Sequence, residues 1–114
     1  DGTSTAQSTV PVIAGTSAAY TVAFKSTADN LIADSANQYW NIDTNTSTDI
    51  YVFNSKTKLF SRANVDSNGQ QDTVSANDPT IAPDGKGIAF DTTSQSLVSA
   101  SYLGNGSTQV YLRK

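Results

Sequence analysis

The chain contains no Cys, no His, no Met and no Glu; all ten of its acidic residues are Asp. Each absence excludes a class of chemistry. Without His or Cys there is no Ser-His-Asp triad, no thiol nucleophile, no disulfide and no ordinary zinc or haem site. Without Glu or Met, and with few Leu, the residues that favour helices are scarce. Charge of one sign is also missing as a feature. Seven basic residues stand singly apart from Arg113-Lys114, against ten acidic ones, for a net charge of −3. No basic stripe is present to displace phosphate counterions, so a nucleic-acid partner is not expected. No apolar run exceeds four residues, as in Ile50–Phe53, so no segment is expected to insert in a membrane.

What is abundant is polar and uncharged. Ser, Thr, Asn and Gln supply 45 of the 114 residues. So polar a composition suits disorder, yet ten aromatics and many β-branched residues recur at regular places. Tyr20-Thr21-Val22-Ala23-Phe24-Lys25 puts Tyr20, Val22 and Phe24 on one face, as in a half-buried strand. Ile50–Phe53, Gly87–Phe90 and Gln109–Leu112 read as further strands. Pro83-Asp84-Gly85, Asn68-Gly69 and Asn105-Gly106 supply the fixed and positive φ angles of tight turns. The expected class is all-β with short antiparallel strands.

The chain also repeats itself. Val10–Ala14 aligns with Asp78–Ala82 at an offset of 68, and Val22-Ala23-Phe24 with Ile88-Ala89-Phe90 at 66. Asn30-Leu31-Ile32 meets Ser96-Leu97-Val98 at 66, and Ser47–Val52 meets Ser107–Leu112 at 60. The offset falls in two loop-sized steps, as repeated β-units allow. Each copy has strands near Pro11 or Pro79, near Phe24 or Phe90, and at Ile50–Val52 or Val110–Leu112. The first copy adds a fourth strand, Lys58–Arg62. The units are 1–68, with a loop insertion near 35–46, and 69–114, which is incomplete.

Four short antiparallel strands of this length have the size of a propeller blade. Asp78-Pro79-Thr80-Ile81-Ala82-Pro83-Asp84-Gly85-Lys86-Gly87-Ile88-Ala89-Phe90 resembles the signature of the PD40, or TolB-like, β-propeller repeat. Asp49–Val52 followed by Lys58–Arg62 resembles that family's continuation, and Asn30-Leu31-Ile32 a step found in its secreted bacterial members. The resemblance implies propeller-type blades, with a β-sandwich as the alternative. Closed propellers have about four to eight blades, so two imply further blades in cis or in trans. A first residue of Asp points the same way, to a processed chain or a piece of something longer.

Candidate sites are few. Asp43, Asn45, Ser47 and Asp49 place oxygens at alternate positions, the opening spacing of a calcium loop. The turn Gly of such a loop is absent, with Thr48 in its place, and Asn54 stands where a Glu belongs. A polar loop capping its own backbone is the competing reading. Tyr39 and Trp40, inside the insertion, suit a glycan or partner surface or a fold-back on the blade. Acid–base catalysis would need two Asp from among Asp29, Asp34, Asp72, Asp78, Asp84 and Asp91, most of them at turns, with no apolar pocket to separate their pKa values. The strand Val110-Tyr111-Leu112 lacks an outer neighbour, and an unpaired apolar edge is a template for a strand from another chain. The expectation is therefore a non-enzymatic structural or interaction module with protein partners or copies of itself. No cofactor is expected, the alternative being a calcium- or glycan-binding module with calcium at Asp43–Asp49 or a glycan near Trp40, and the expected setting is extracellular or cell-envelope.

Overall fold

The computed structural model describes residues 6–32, 43–98 and 106–114. Seven strands form within them: β1 (Ser8–Thr16), β2 (Ala19–Ser26), β3 (Asp49–Asn54), β4 (Leu59–Arg62), β5 (Ala76–Ile81), β6 (Ile88–Thr92) and β7 (Gln109–Arg113). The fold is all-β, with two antiparallel sheets in the orders β1-β2-β3-β4 and β5-β6-β7. Strands lie where alternation and turn residues place them. Pro83-Asp84-Gly85 turns β5 into β6 with Gly85 N–H donating to Ala82 O at 2.8 Å. Gly85 has φ +73°, and a Cβ there would meet Thr21 Oγ1 of the other sheet at 3.0 Å. The turn therefore requires glycine twice over.

The two sheets repeat each other bond by bond. Ser8↔Ser26 and Thr9↔Lys25 in the first match Ala76↔Thr92 and Asn77↔Asp91 in the second. A register shift follows in both, between Thr9 and Val12 and between Asn77 and Thr80. At each bulge the residue before proline takes a positive φ: Val10 at 52° and Asp78 at 44°. Proline cannot donate to a ladder and settles at edge strands and bulges; β1 and β5 are both edges. Phe24 stacks on Tyr51 and Phe90 on Tyr111, each pair with centroids 6.1 Å apart. The Tyr51 hydroxyl donates to Ala28 O at 3.0 Å and the Tyr111 hydroxyl to Ser94 O at 3.0 Å, and these acceptors are themselves counterparts.

The core lies between the sheets. Val12, Ala23, Ile50 and Val52 from the first, with Ala63 just after β4, meet Ala76, Ile81, Ile88, Phe90 and Tyr111 from the second, and Leu97 packs against them. A strap of hydrogen bonds fixes the sheets beside each other. Ala76 N–H donates to Thr48 O at 2.8 Å, Thr48 N–H to Ser75 Oγ at 3.1 Å, and Ser47 Oγ to Thr73 O at 2.8 Å. The start of β5 is thereby bound to the segment that leads into β3.

Candidate functional site

The run Asp43–Asp49 enters β3 and closes on itself. Asp43 Oδ1 accepts Asn45 N–H at 3.0 Å, and Asn45 Oδ1 accepts Ser47 N–H at 2.6 Å. These are two successive Asx turns. Asn45 Nδ2 donates to Asp72 O at 2.8 Å. Asp43 Oδ2 lies 3.1 Å from the Tyr51 hydroxyl and 3.9 Å from an Arg62 Nη. Asp49 Oδ1 accepts from Asn64 Nδ2 at 2.6 Å, and Asp49 Oδ2 lies 3.1 Å from Arg62 Nε. Oxygens that the spacing aligned for a calcium ion are thus occupied by donors from β3, β4 and the connection that follows. An ion there would have to displace them. Among the described residues no group of three or more acidic side chains is placed to hold a metal.

These contacts make a buried polar clasp on the outward side of β3. Asp49, Tyr51, Arg62 and Asn64 are all buried. The Arg62 guanidinium stands 5.6 Å over the Tyr51 ring and also reaches Gln71 Oε1. A cation over a ring face is held by the ring's quadrupole. Asn64 Oδ1 accepts Ile50 N–H at 2.9 Å, so one amide side chain bonds both backbone and carboxylate. Burial pushes the Asp49 carboxyl up to about 6, outweighing the Asn64 donor and the Arg62 charge, with Asp43 adding a like charge. Burial likewise raises the Tyr51 hydroxyl well above its ordinary value. Among the described residues neither Arg62 Nε nor Asp49 Oδ2 makes a directed hydrogen bond, and the two meet as an ionic contact. The clasp holds β4, β3 and the 43–48 segment together.

An open cleft of about 400 Å³ lies beside the strap, lined by Ser47, Thr73, Asn77, Asp91, Thr92 and Thr108. Its lining is mainly hydroxyl and amide, with one carboxylate and the apolar Val74. Asp91 Oδ1 there, and Asp72 Oδ2 nearby, are buried and find no donor among the described residues. Of the other Asp residues, Asp84 Oδ1 accepts Lys86 N–H within its turn, and Asp78 sits at the second bulge. Asp29 is exposed beyond the end of β2. Tyr39, Trp40 and Asp34 lie outside the described residues.

The last strand divides its side chains between two sides. Tyr111 packs inward on Phe90, while Val110 and Leu112 are 78% and 61% exposed on the opposite face. The first sheet has an exposed apolar face too. Ile13 is 67% exposed and Phe60 36%, with half-buried Val22, Phe24 and Phe53 beside them. Phe60 lies 5.0 Å from Phe53 and 6.2 Å from Phe24 between ring centroids. The sequence marks the last strand as an edge but does not mark this aromatic face. Its signal is the alternation of Tyr20, Val22 and Phe24, whose side toward solvent the pattern alone does not assign. Arg62 and Asn64 are equally unmarked, since isolated polar residues after a strand carry no distinguishing signal. Compared with known proteins, the chain matches no family model, no curated protein and no solved structure.

Proposed function

We propose that this chain is a non-enzymatic structural and interaction module. Its two sheets act as successive propeller-type blades of the PD40, or TolB-like, kind and assemble with further blades. The observation that carries the reading is the repetition of one three-strand unit, down to its proline bulge and its tyrosine-to-carbonyl bond. Repeat units bury their apolar faces against neighbours, and about three or more are needed for a continuous core. Two units leave outward faces to be covered. The abundance of Ser, Thr and Asn, together with the absence of Cys, supports a secreted or cell-surface setting over a redox role.

The module contributes a rigid scaffold and an edge. β7 pairs with β6 and with no other strand among the described residues. A strand from another chain, of the Lys58–Val65 kind or from an N-terminal segment, completes the second sheet on that side. Size-exclusion chromatography with light scattering tests the reading. The expected mass is two or more times 12.0 kDa; a well-folded monomer at every concentration contradicts it. Hydrogen exchange adds detail. A free edge protects alternate amides of Gln109–Arg113, whereas an added strand protects them all. Calcium titration belongs in the same set, with no heat and no shift in melting temperature expected.

A further inference from the structure

The packing between the two sheets has a direction. The first sheet buries the face of Val12, Ala23, Ile50 and Val52, and the second buries the face of Ile81, Ile88, Phe90 and Tyr111. These are not matching positions. By register, the second sheet's counterparts of the first set are Thr80, Ala89, Val110 and Leu112. The first sheet's counterparts of the second set are Ile13, Val22, Phe24 and Tyr51. The internal interface therefore joins two unlike faces, head to tail, and leaves one of each kind unused.

The unused faces present Ile13, Val22 and Phe24 on one sheet and Ala89, Val110 and Leu112 on the other, beside the polar Thr80 and Asp91, where two self-contained packed sheets would turn mainly polar residues outward. Where the face is used, Ile88 and Phe90 are 4% and 3% exposed; on the unused copy Val22 and Phe24 are only half-buried and Ile13 is 67% exposed, while Tyr51 alone of that set is buried, under the Asp43–Arg62 clasp. Ile50 is fully buried, and its counterpart Val110 is 78% exposed. One polar contact follows the same logic. Across the internal interface Lys25 Nζ donates to Asn77 Oδ1 at 3.4 Å. Lys25's counterpart in the second sheet is Asp91, a half-buried acceptor. Asn77's counterpart in the first sheet is the exposed Thr9, which has a hydroxyl to donate. Donor and acceptor exchange sides, and the pair stays complementary.

We infer that a second copy of this chain docks the Val110–Leu112 face of its second sheet on the Ile13–Phe60 face of the first. This rests on the assembly reading above and names the surface and the direction of that assembly. A contact between unlike faces is heterologous, so copies add in one sense around a closed ring or along an open stack.

The test uses the whole chain with Ile13→Asp and Val110→Asp. Both side chains are largely exposed, so each replacement removes little from the isolated fold. Each alone is expected to weaken association roughly thirtyfold or more, as loss of a central interface anchor does. Mixed in equal amounts, the two variants form a complex of two chains and no larger, because one intact pair of faces remains. Lys56→Asp, exposed in the turn between β3 and β4 and outside both faces, assembles like the parent. Circular dichroism confirms folding, and the gentler Ile13→Ser and Val110→Ser replace any Asp variant that unfolds. Retention of the parent mass by both variants overturns face docking while leaving assembly through strand edges intact. A mixture that remains monomeric overturns the direction of docking. A monomeric parent overturns both this inference and the reading beneath it.

Discussion

Strand β3 lies between β2 and β4, and its Asp49, Ile50 and Tyr51 are buried. Among the described residues its counterpart β7 has a neighbour on one side only, and Gln109 and Val110 are exposed. The difference reaches into the chemistry. Where β4 supplies Arg62, the strand begins with a carboxylate, Asp49. Where no such strand is present among the described residues, the matching position holds Gln109, which needs no counter-charge. A buried carboxylate is tolerable only with a cation and hydrogen bonds around it. The fourth strand therefore does more than extend the sheet: it makes a buried ionic clasp permissible in one repeat and leaves the other neutral.

The largest effect expected from disturbing this contrast comes from Arg62→Ala. It leaves Asp43 and Asp49 in the core without their cation and is expected to cost about 3–5 kcal/mol in denaturant unfolding. Adding Asp49→Gln, the residue of the second repeat, recovers part of that loss. No recovery would show that Arg62 acts through packing rather than charge.

Next comes pH. The Asp49 carboxyl titrates near its ordinary 3.8 in the unfolded chain and at about 6 in the fold. Between these values the folded state holds a proton that the unfolded state has released. The contribution of Asp49 is therefore fully present below about pH 4 and is lost as pH rises to about 6, by up to about 3 kcal/mol. Thermal melts of Asp49→Asn against the parent across this range should show that component removed; parallel curves would contradict the assignment.

Smaller and paired is the comparison of Tyr51→Phe with Tyr111→Phe. Both lose a hydroxyl-to-carbonyl bond of 3.0 Å. Tyr111→Phe is expected to cost about 1 kcal/mol, the ordinary worth of one such bond. Tyr51→Phe is expected to cost about 2 kcal/mol, the range of a bond to charged groups. The difference arises because Asp43 and Arg62 lose a partner as well. Equal costs would mean that the clasp adds nothing to the hydroxyl.

The smallest effect concerns the bulges. Val10 is a β-branched residue at φ 52°, while Asp78 at the matching bulge has φ 44°. β-Branched residues are rare in this region, and Asp belongs to a type that tolerates it better. Val10→Asp is expected to stabilise by about 1 kcal/mol or less, and Asp78→Val to destabilise by a similar amount. Chemical denaturation with both variants checks the sign.

Much of the fold was legible in the sequence, for identifiable reasons. Period-two alternation at Tyr20–Phe24 and apolar runs at Ile50 and Val110 mark strands, and Pro83-Asp84-Gly85 fixes a turn by backbone chemistry alone. The offset between Val10–Ala14 and Asp78–Ala82 aligns two prolines, and the structure places both at the same bulge. The positive φ at Val10 was hidden, because side-chain preference argues against it and the repeated geometry imposes it. The clasp was hidden for another reason. Asp43, Asn45, Ser47 and Asp49 have oxygens at regular spacing, but spacing does not reveal that Arg62, Asn64 and Tyr51 stand opposite. Which face of each sheet is covered depends on how the sheets stack, and no local pattern encodes that.

That stacking is tested most directly by cross-linking, for which a chain without Cys is well suited. Ile13→Cys and Val110→Cys each introduce a single thiol. With a short bifunctional maleimide, unlike faces in contact predict an efficient cross-linked dimer when the two variants are mixed and little when either is treated alone. Efficient cross-linking of each variant with itself, or none in the mixture, would contradict head-to-tail assembly.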